Sequence, residues 1–421
     1  MIAALALLVL AAPDLGDEAK RRTDVLISQH YNLTQGFTLE AKPEKFVTRV
    51  EIFIPEETSE HSFSFWGEAA TGTITYRLFA PDGLRSTWSG RSGESTFTAA
   101  IATGRWVLEI EQPAASSGRA VFGVKGPVVK GCELEPALVQ AAAPAKGFQW
   151  PYILYIPTKV TKQRLLVAPN NTGFLTSDVK LLQLSASCEL KGNKALADRL
   201  GAPLLIPMFP RPRTLETEPA LYLHALSRTS LETKIEAYRR VDLQLMAMMD
   251  DARAVLKARN IEVPPEAFFM GFSASASFVS HFAMLHPERC AAVVAFSPGG
   301  WPIAPVAKAG NDTLNYPVGV ADLQALTGKP LDTASLAKVS WLFGIGGVDD
   351  NDSVPFRDSF SAEDEALIMK RFGKFPVPRW KPAEQLYKSA GLNAQFKVYP
   401  RVGHQVSEPM AEDRAVFFEK H

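Results

Sequence analysis

The sequence predicts an α/β fold, a mostly parallel sheet with helices on both faces, preceded by a small all-β sandwich. Three observations carry this. From residue 150 onward, short apolar runs alternate with segments whose apolar residues recur at helical spacing, the order expected where crossover helices join parallel strands. Between about residues 47 and 124, apolar and polar residues alternate one for one, with glycine, serine and proline between the runs. The stretch 131–149, with Ala141-Ala-Ala-Pro-Ala-Lys146, reads as a linker between the two patterns. The expected organisation is a sandwich-like domain over 25–130, this linker, and an α/β domain over 150–421.

Residues 1–12 are almost wholly apolar, and 1–15 reads as an export signal that lacks its usual basic start. The run is too short to span a membrane, which takes about 20 apolar residues. The expected location is therefore secreted or periplasmic. In the sandwich region Ile74, Tyr76 and Leu78 alternate with Thr73, Thr75 and Arg77, and Pro81-Asp-Gly83 closes that strand with a turn. Trp106, Leu108 and Ile110 alternate with Arg105, Glu109 and Glu111. No His, Cys or carboxylate cluster there looks catalytic, so a supporting role is expected.

In the second region, strands are expected over 152–156, 164–168, 203–208, 267–270, 291–296, 339–345 and 394–399. Helices are expected over 193–200, 241–256 and 410–420, and after residue 274. Val241, Leu245, Met248, Met249, Ala252, Val255 and Leu256 share one helical face. That methionine stripe reads as core.

The 421 residues carry 45 basic and 45 acidic side chains and no long like-charge run, so nothing points to nucleic acid. Of three cysteines, Cys132 and Cys188 are free to pair in an exported protein, and Cys290 lies in an apolar segment. None has metal-ligand spacing, and there is no glycine-rich phosphate loop. No metal and no organic cofactor is expected.

The most informative stretch is Gly271-Phe-Ser-Ala-Ser275. It follows an apolar strand and precedes Phe278, Phe282 and Leu285 at helical spacing. A strand, a tight turn with serine at its tip and a helix form a nucleophile elbow, which lifts the hydroxyl above the sheet edge. Small neighbours let strand and helix approach, although Ser275 stands where glycine is usual. A serine hydroxyl needs a base within hydrogen-bond reach, and the base needs a carboxylate to fix its tautomer. Among seven histidines, His404 has the fitting context, in a short loop after the last strand, Pro400-Arg-Val-Gly-His-Gln405. The carboxylate is expected beyond Gly346-Gly347, where Asp349, Asp350 and Asp352 compete. Asp349 is the first past the turn and is favoured, with Asp352 as the alternative acid. Trp301, just after a strand end, and His224, in an insertion Leu221-Tyr-Leu-His-Ala-Leu226, are candidates to line a substrate pocket.

Gly271-Phe-Ser-Ala-Ser275, Ser297-Pro-Gly-Gly-Trp301, Gly344-Ile-Gly-Gly-Val-Asp349 and Gly403-His404 together resemble the α/β-hydrolase superfamily. The chain order Ser273, Asp349, His404 is that of this superfamily. The look is similar to secreted esterases of the polyhydroxybutyrate-depolymerase and feruloyl-esterase type. Gly104-Arg-Trp-Val-Leu-Glu-Ile110 resembles the jelly-roll accessory modules of secreted bacterial hydrolases. The resemblance implies a serine esterase acting on a polymeric or aromatic ester. It also implies an oxyanion hole built from the Ala274 N–H and a donor in Pro169-Asn-Asn-Thr-Gly173, for which Asn171 is the candidate. A peptidase or amidase of the same fold and a catalytically inactive binding protein are the alternatives.

Overall fold

The computed structural model describes residues 20–27, 32–54, 58–80, 82–101, 104–125, 135–171, 177, 179–211, 221–355 and 359–421. Residues 1–15, read as an export signal, and Cys132 lie outside the described residues. The chain divides into two units, residues 1–130 and 131–421.

Among the described residues the first unit holds nine strands: β1 Lys20–Ile27, β2 Asn32–Leu39, β3 Phe46–Ile54, β4 Thr58–Ala69, β5 Ile74–Ala80, β6 Gly83–Gly90, β7 Ser92–Ile101, β8 Gly104–Gln112 and β9 Gly118–Lys125. They form two sheets, ordered β1-β3-β8-β5-β6 and β2-β9-β4-β7. All pairings are antiparallel except β1 with β3. The period-two pattern decides which side faces inward. Ile74, Tyr76 and Leu78 of β5 and Trp106, Leu108 and Ile110 of β8 are buried, and Phe63, Phe65 and Phe122 come from the other sheet. Phe63 stacks on Trp106 with ring centroids 5.0 Å apart, which closes the sandwich. On the outer side, Glu111 pairs with Lys45 and Arg77.

The second unit holds an eight-stranded sheet ordered β10-β11-β13-β12-β14-β15-β18-β19. Its strands are β10 Leu138–Gln140, β11 Tyr152–Tyr155, β12 Leu166–Val167, β13 Leu204–Pro207, β14 Ala267–Phe272, β15 Cys290–Phe296, β18 Ser340–Gly346 and β19 Ala394–Tyr399, with a two-stranded hairpin β16 Lys308–Ala309 and β17 Asp312–Thr313 apart from it. β11 pairs antiparallel with both neighbours, and β13 through β19 run parallel across the sheet. Strands buried on both faces are continuously apolar rather than alternating, and β11, β13 and β18 are buried throughout.

The helices are α1 Val179–Leu200, α2 Arg228–Glu232, α3 Val241–Lys257, α4 Ala274–Leu285, α5 Leu323–Thr327, α6 Thr333–Leu336, α7 Ala362–Phe372, α8 Pro376–Ser389 and α9 Glu408–Lys420. α3, α4 and α8 pack on one face through Leu245, Met248, Phe278, Phe282, Trp380 and Tyr387. α1 and α9 cover the other through Leu182, Ala186, Leu190, Phe417 and Phe418. The methionine stripe of α3 is core, as its spacing predicts.

Three elements depart from the sequence expectation. The stretch 131–149 is not a free linker: it contributes edge strand β10, and Phe148 is buried in the core. α1 begins 14 residues before the predicted 193. The sequence expectation names no helix over 362–389, where α7 and α8 form although Pro376, Pro378 and Pro382 lie in α8. Pro376 starts α8 at a position where no N–H is needed.

Candidate active site

The parallel strands end at one sheet edge, and the loops that leave them there carry the site residues, as in open α/β sheets generally. Ser273 follows β14 and precedes α4 with φ 58° and ψ −123°, a conformation that costs a non-glycine residue about 1–3 kcal/mol. Its backbone N–H donates to Phe296 O of β15 at 2.9 Å, which fixes the turn to the next strand. Gly271 allows the close crossing. A Cβ placed there would lie 2.3 Å from the Ser275 carbonyl carbon. The departure from glycine at Ser275 has a local cause. Its Oγ donates to Phe272 O at 2.8 Å and accepts from Phe272 N–H at 2.9 Å, so the side chain fastens the elbow from within.

β18 and β19 bring the remaining two groups. Beyond β18 the loop is zipped to the loop beyond β19: Gly347 N–H donates to Tyr399 O at 2.7 Å and Val348 N–H to Val402 O at 3.0 Å. A Cβ on Gly346 would lie 2.3 Å from Val402 O, so only glycine permits this approach. The zipper sets Asp349 against His404. His404 Nδ1 lies 3.1 Å from both Asp349 carboxylate oxygens, and its Nε2 lies 3.0 Å from Ser273 Oγ. The Phe272 ring lies 4.6 Å from the imidazole, centroid to centroid, and backs it. Asp349 is buried. That burial works against its charge, but the His404 imidazole outweighs it and holds the carboxyl below its ordinary value. The structure thus brings together Ser273, His404 and Asp349.

Asp350 is exposed, and Asp352 is committed elsewhere, which corrects it as the alternative acid. Asp352 Oδ1 accepts from Arg379 Nη1 at 2.8 Å and from Val354 N–H at 3.1 Å. Arg379, fully buried on α8, also donates to Gly300 O, Gly373 O and Lys374 O. Ser353 Oγ donates to Gly299 O. The acid loop is therefore latched both to α8 and to the segment after β15. Sequence reasoning missed Arg379, whose partner lies 27 residues away.

The two pocket candidates are also corrected. Trp301 is buried, donates its indole N–H to Val318 O at 2.9 Å and stacks on Phe372 with centroids 4.1 Å apart. It is core to a loop cluster, not a pocket wall. His224 is 1% exposed, with Nε2 2.9 Å from Phe209 O and 3.0 Å from Asn170 Nδ2. It ties its segment to the loops after β12 and β13. His281, on α4, donates from Nδ1 to Ala225 O at 2.8 Å, and burial pulls its pKa down to about 4.

Ala274 begins α4, where the first N–H groups have no intrahelical acceptor. Asn171 follows β12 at the same edge, and its backbone N–H is held by the Glu189 carboxyl. Among the described residues no cluster of His, Cys, Asp and Glu is arranged to hold a metal ion. Cys188 is disulfide-bonded, and Cys290 is a buried free thiol.

The strand order, the antiparallel second strand and the order of the three site residues define an α/β-hydrolase fold carrying a serine–histidine–aspartate arrangement. No family model matches the sequence, and no curated protein matches it. Among solved structures, the chain is similar to poly(aspartic acid) hydrolase-1 from Sphingomonas sp. KT-1, with 17% identity and a TM-score of 0.44, covering 67% of this chain and 97% of that one. It is similar to an S-formylglutathione hydrolase from Agrobacterium tumefaciens, with 13% identity and a TM-score of 0.40, covering 68% and 94%. It is also similar to a ferulic acid esterase, with 14% identity and a TM-score of 0.38, covering 68% and 97%.

Proposed function

We propose that the chain is an exported serine hydrolase that cleaves carboxylic esters through an acyl-enzyme. The observation that carries this is the unbroken line from Ser273 Oγ to His404 Nε2 at 3.0 Å and from His404 Nδ1 to Asp349 at 3.1 Å, at a strained turn. Ser273 Oγ attacks the acyl carbon while His404 Nε2 takes its proton. Asp349, kept ionised, holds the proton on Nδ1 and leaves Nε2 free to accept. The negative oxygen that develops is met by the Ala274 N–H. Asn171, in the loop after β12, is the candidate for the second donor. His404 then returns the proton to the departing alkoxide, and water repeats the sequence on the acyl-enzyme.

Export is supported by the apolar residues 1–12 and by the disulfide at Cys188, since disulfides persist in oxidising compartments. Peptidase or amidase chemistry uses the same groups, because a fold does not fix its substrate. The test is a panel of p-nitrophenyl esters beside aminoacyl anilides, with fluorophosphonate labelling. Ester turnover and labelling in the wild type, both lost in Ser273→Ala, are expected. Turnover of anilides alone would move the assignment to amide bonds. Labelling that persists in Ser273→Ala would refute it.

A further inference from the structure

Arg211 lies four residues past the end of β13, on the sheet edge that carries Ser273. It is only 8% exposed. Its guanidinium sits over the Tyr222 ring, 4.9 Å from the centroid. Tyr222 packs in turn with Ala225 and with Ala274, the residue after the serine. One aromatic ring therefore separates this cation from the elbow. The placement is secured from two sides. Asn170 Nδ2, in the loop after β12, donates to Phe209 O at 3.0 Å, and the Phe209 ring stacks on Phe278 of α4 at 5.9 Å.

The unusual feature is what Arg211 lacks. Its Nη1 is buried, and among the described residues it has no hydrogen-bond partner. A guanidinium is always charged in a protein, and burying a charge without a partner is costly. The contact with the Tyr222 ring supplies no hydrogen-bond acceptor for Nη1. The other deep arginine near the site shows the contrast: Arg379 has a carboxylate and three carbonyls. A guanidinium with an unpartnered Nη1 beside a reaction centre is suited to a carboxylate, the anion its planar fork recognises.

We propose that Arg211 forms an anion subsite, so that the preferred substrate is an ester carrying a free carboxylate close to the scissile bond. This rests on the hydrolase reading above and narrows it to acidic esters.

The test compares two substrates of equal acyl length, mono-p-nitrophenyl succinate and p-nitrophenyl butyrate, in wild type, Arg211→Gln and Arg211→Lys. The wild type is expected to favour the succinate ester in kcat/KM. Arg211→Gln should lower the succinate-to-butyrate ratio by about 10–100-fold, the span of one charge-assisted hydrogen bond, mainly through KM. Arg211→Lys should restore part of it, because the charge returns without the fork. A wild-type ratio near one, or a ratio unmoved in Arg211→Gln, overturns the subsite and leaves the hydrolase reading standing. Hydrolysis of neither ester, with no fluorophosphonate labelling, overturns both. Should Arg211→Gln fail to fold, the wild type decides: succinamate, which carries the carboxylate, should compete with p-nitrophenyl butyrate at least tenfold better than butyramide, which lacks it, and equal inhibition overturns the proposal.

Discussion

The two buried aspartates of the acid loop should fail in opposite ways. Asp349→Asn places an amide where both oxygens now lie 3.1 Å from His404 Nδ1. An amide N–H facing Nδ1 favours the tautomer with its proton on Nε2, 3.0 Å from Ser273 Oγ, so the base is blocked. The comparable change in another serine enzyme costs about 10⁴ in kcat, and that loss is expected here with Tm little changed. Asp352→Asn leaves the fully buried Arg379 without its anion. Removing one partner of a buried pair costs roughly 3–5 kcal/mol, and the retained amide oxygen puts this case near the lower figure. At about 2–4 °C per kcal/mol, Tm should fall by roughly 6–12 °C. Turnover below that Tm should change less than about tenfold, since the zipper to the His404 loop is intact. The assay is p-nitrophenyl butyrate hydrolysis at 25 °C beside differential scanning fluorimetry. If Asp352→Asn loses about 10⁴ in kcat at unchanged Tm while Asp349→Asn stays active, the assignment of the acid is refuted.

Three further outcomes are expected. Ser273→Gly should abolish turnover yet raise Tm, because glycine relieves a φ of 58° worth about 1 kcal/mol or more, and a lower Tm would count against strain at the elbow. Gly271→Ala should yield little folded protein, since its Cβ would meet the Ser275 backbone at 2.3 Å; a soluble, active variant would sink that account. His281 predicts a pH effect on stability. Its folded pKa of about 4 lies below the free value, so the stabilisation is whole above about pH 6.5 and is lost as pH falls toward 4. The loss is about 3 kcal/mol, read as a steeper acid limb in urea melts than His281→Phe shows.

What the sequence made legible was what is local. The elbow needs small residues within five positions, and Gly271, Ser273 and Ser275 supply them side by side. His404 and Asp349 stand beside glycines at strand ends, where a short loop has few conformations. Trp301 and His224 misled for the opposite reason. Each follows a strand or sits in an insertion, which suggests exposure. Segments remote in sequence, at Val318 and Phe372 for one and at Phe209 and Asn170 for the other, close over them. Arg379 and Arg211 acquire their meaning only from partners, present or missing, that the fold supplies. α8 stayed hidden because it carries three prolines: Pro376 starts the helix where no N–H is needed, but Pro382 lies inside it.

The short strand β10 sets where a recombinant catalytic unit has to be cut. A boundary placed by composition would fall near residue 150 and delete Leu138–Gln140. That cut would bare the outer N–H and C=O groups of β11, which now pair with β10 in register Leu138↔Leu154, Val139↔Ile153 and Gln140↔Tyr152. An open edge with side chains buried on both faces is a template for intermolecular pairing. Insoluble material from such a cut would reflect a severed sheet rather than a missing neighbouring domain, and vectors for this region should begin upstream of residue 138.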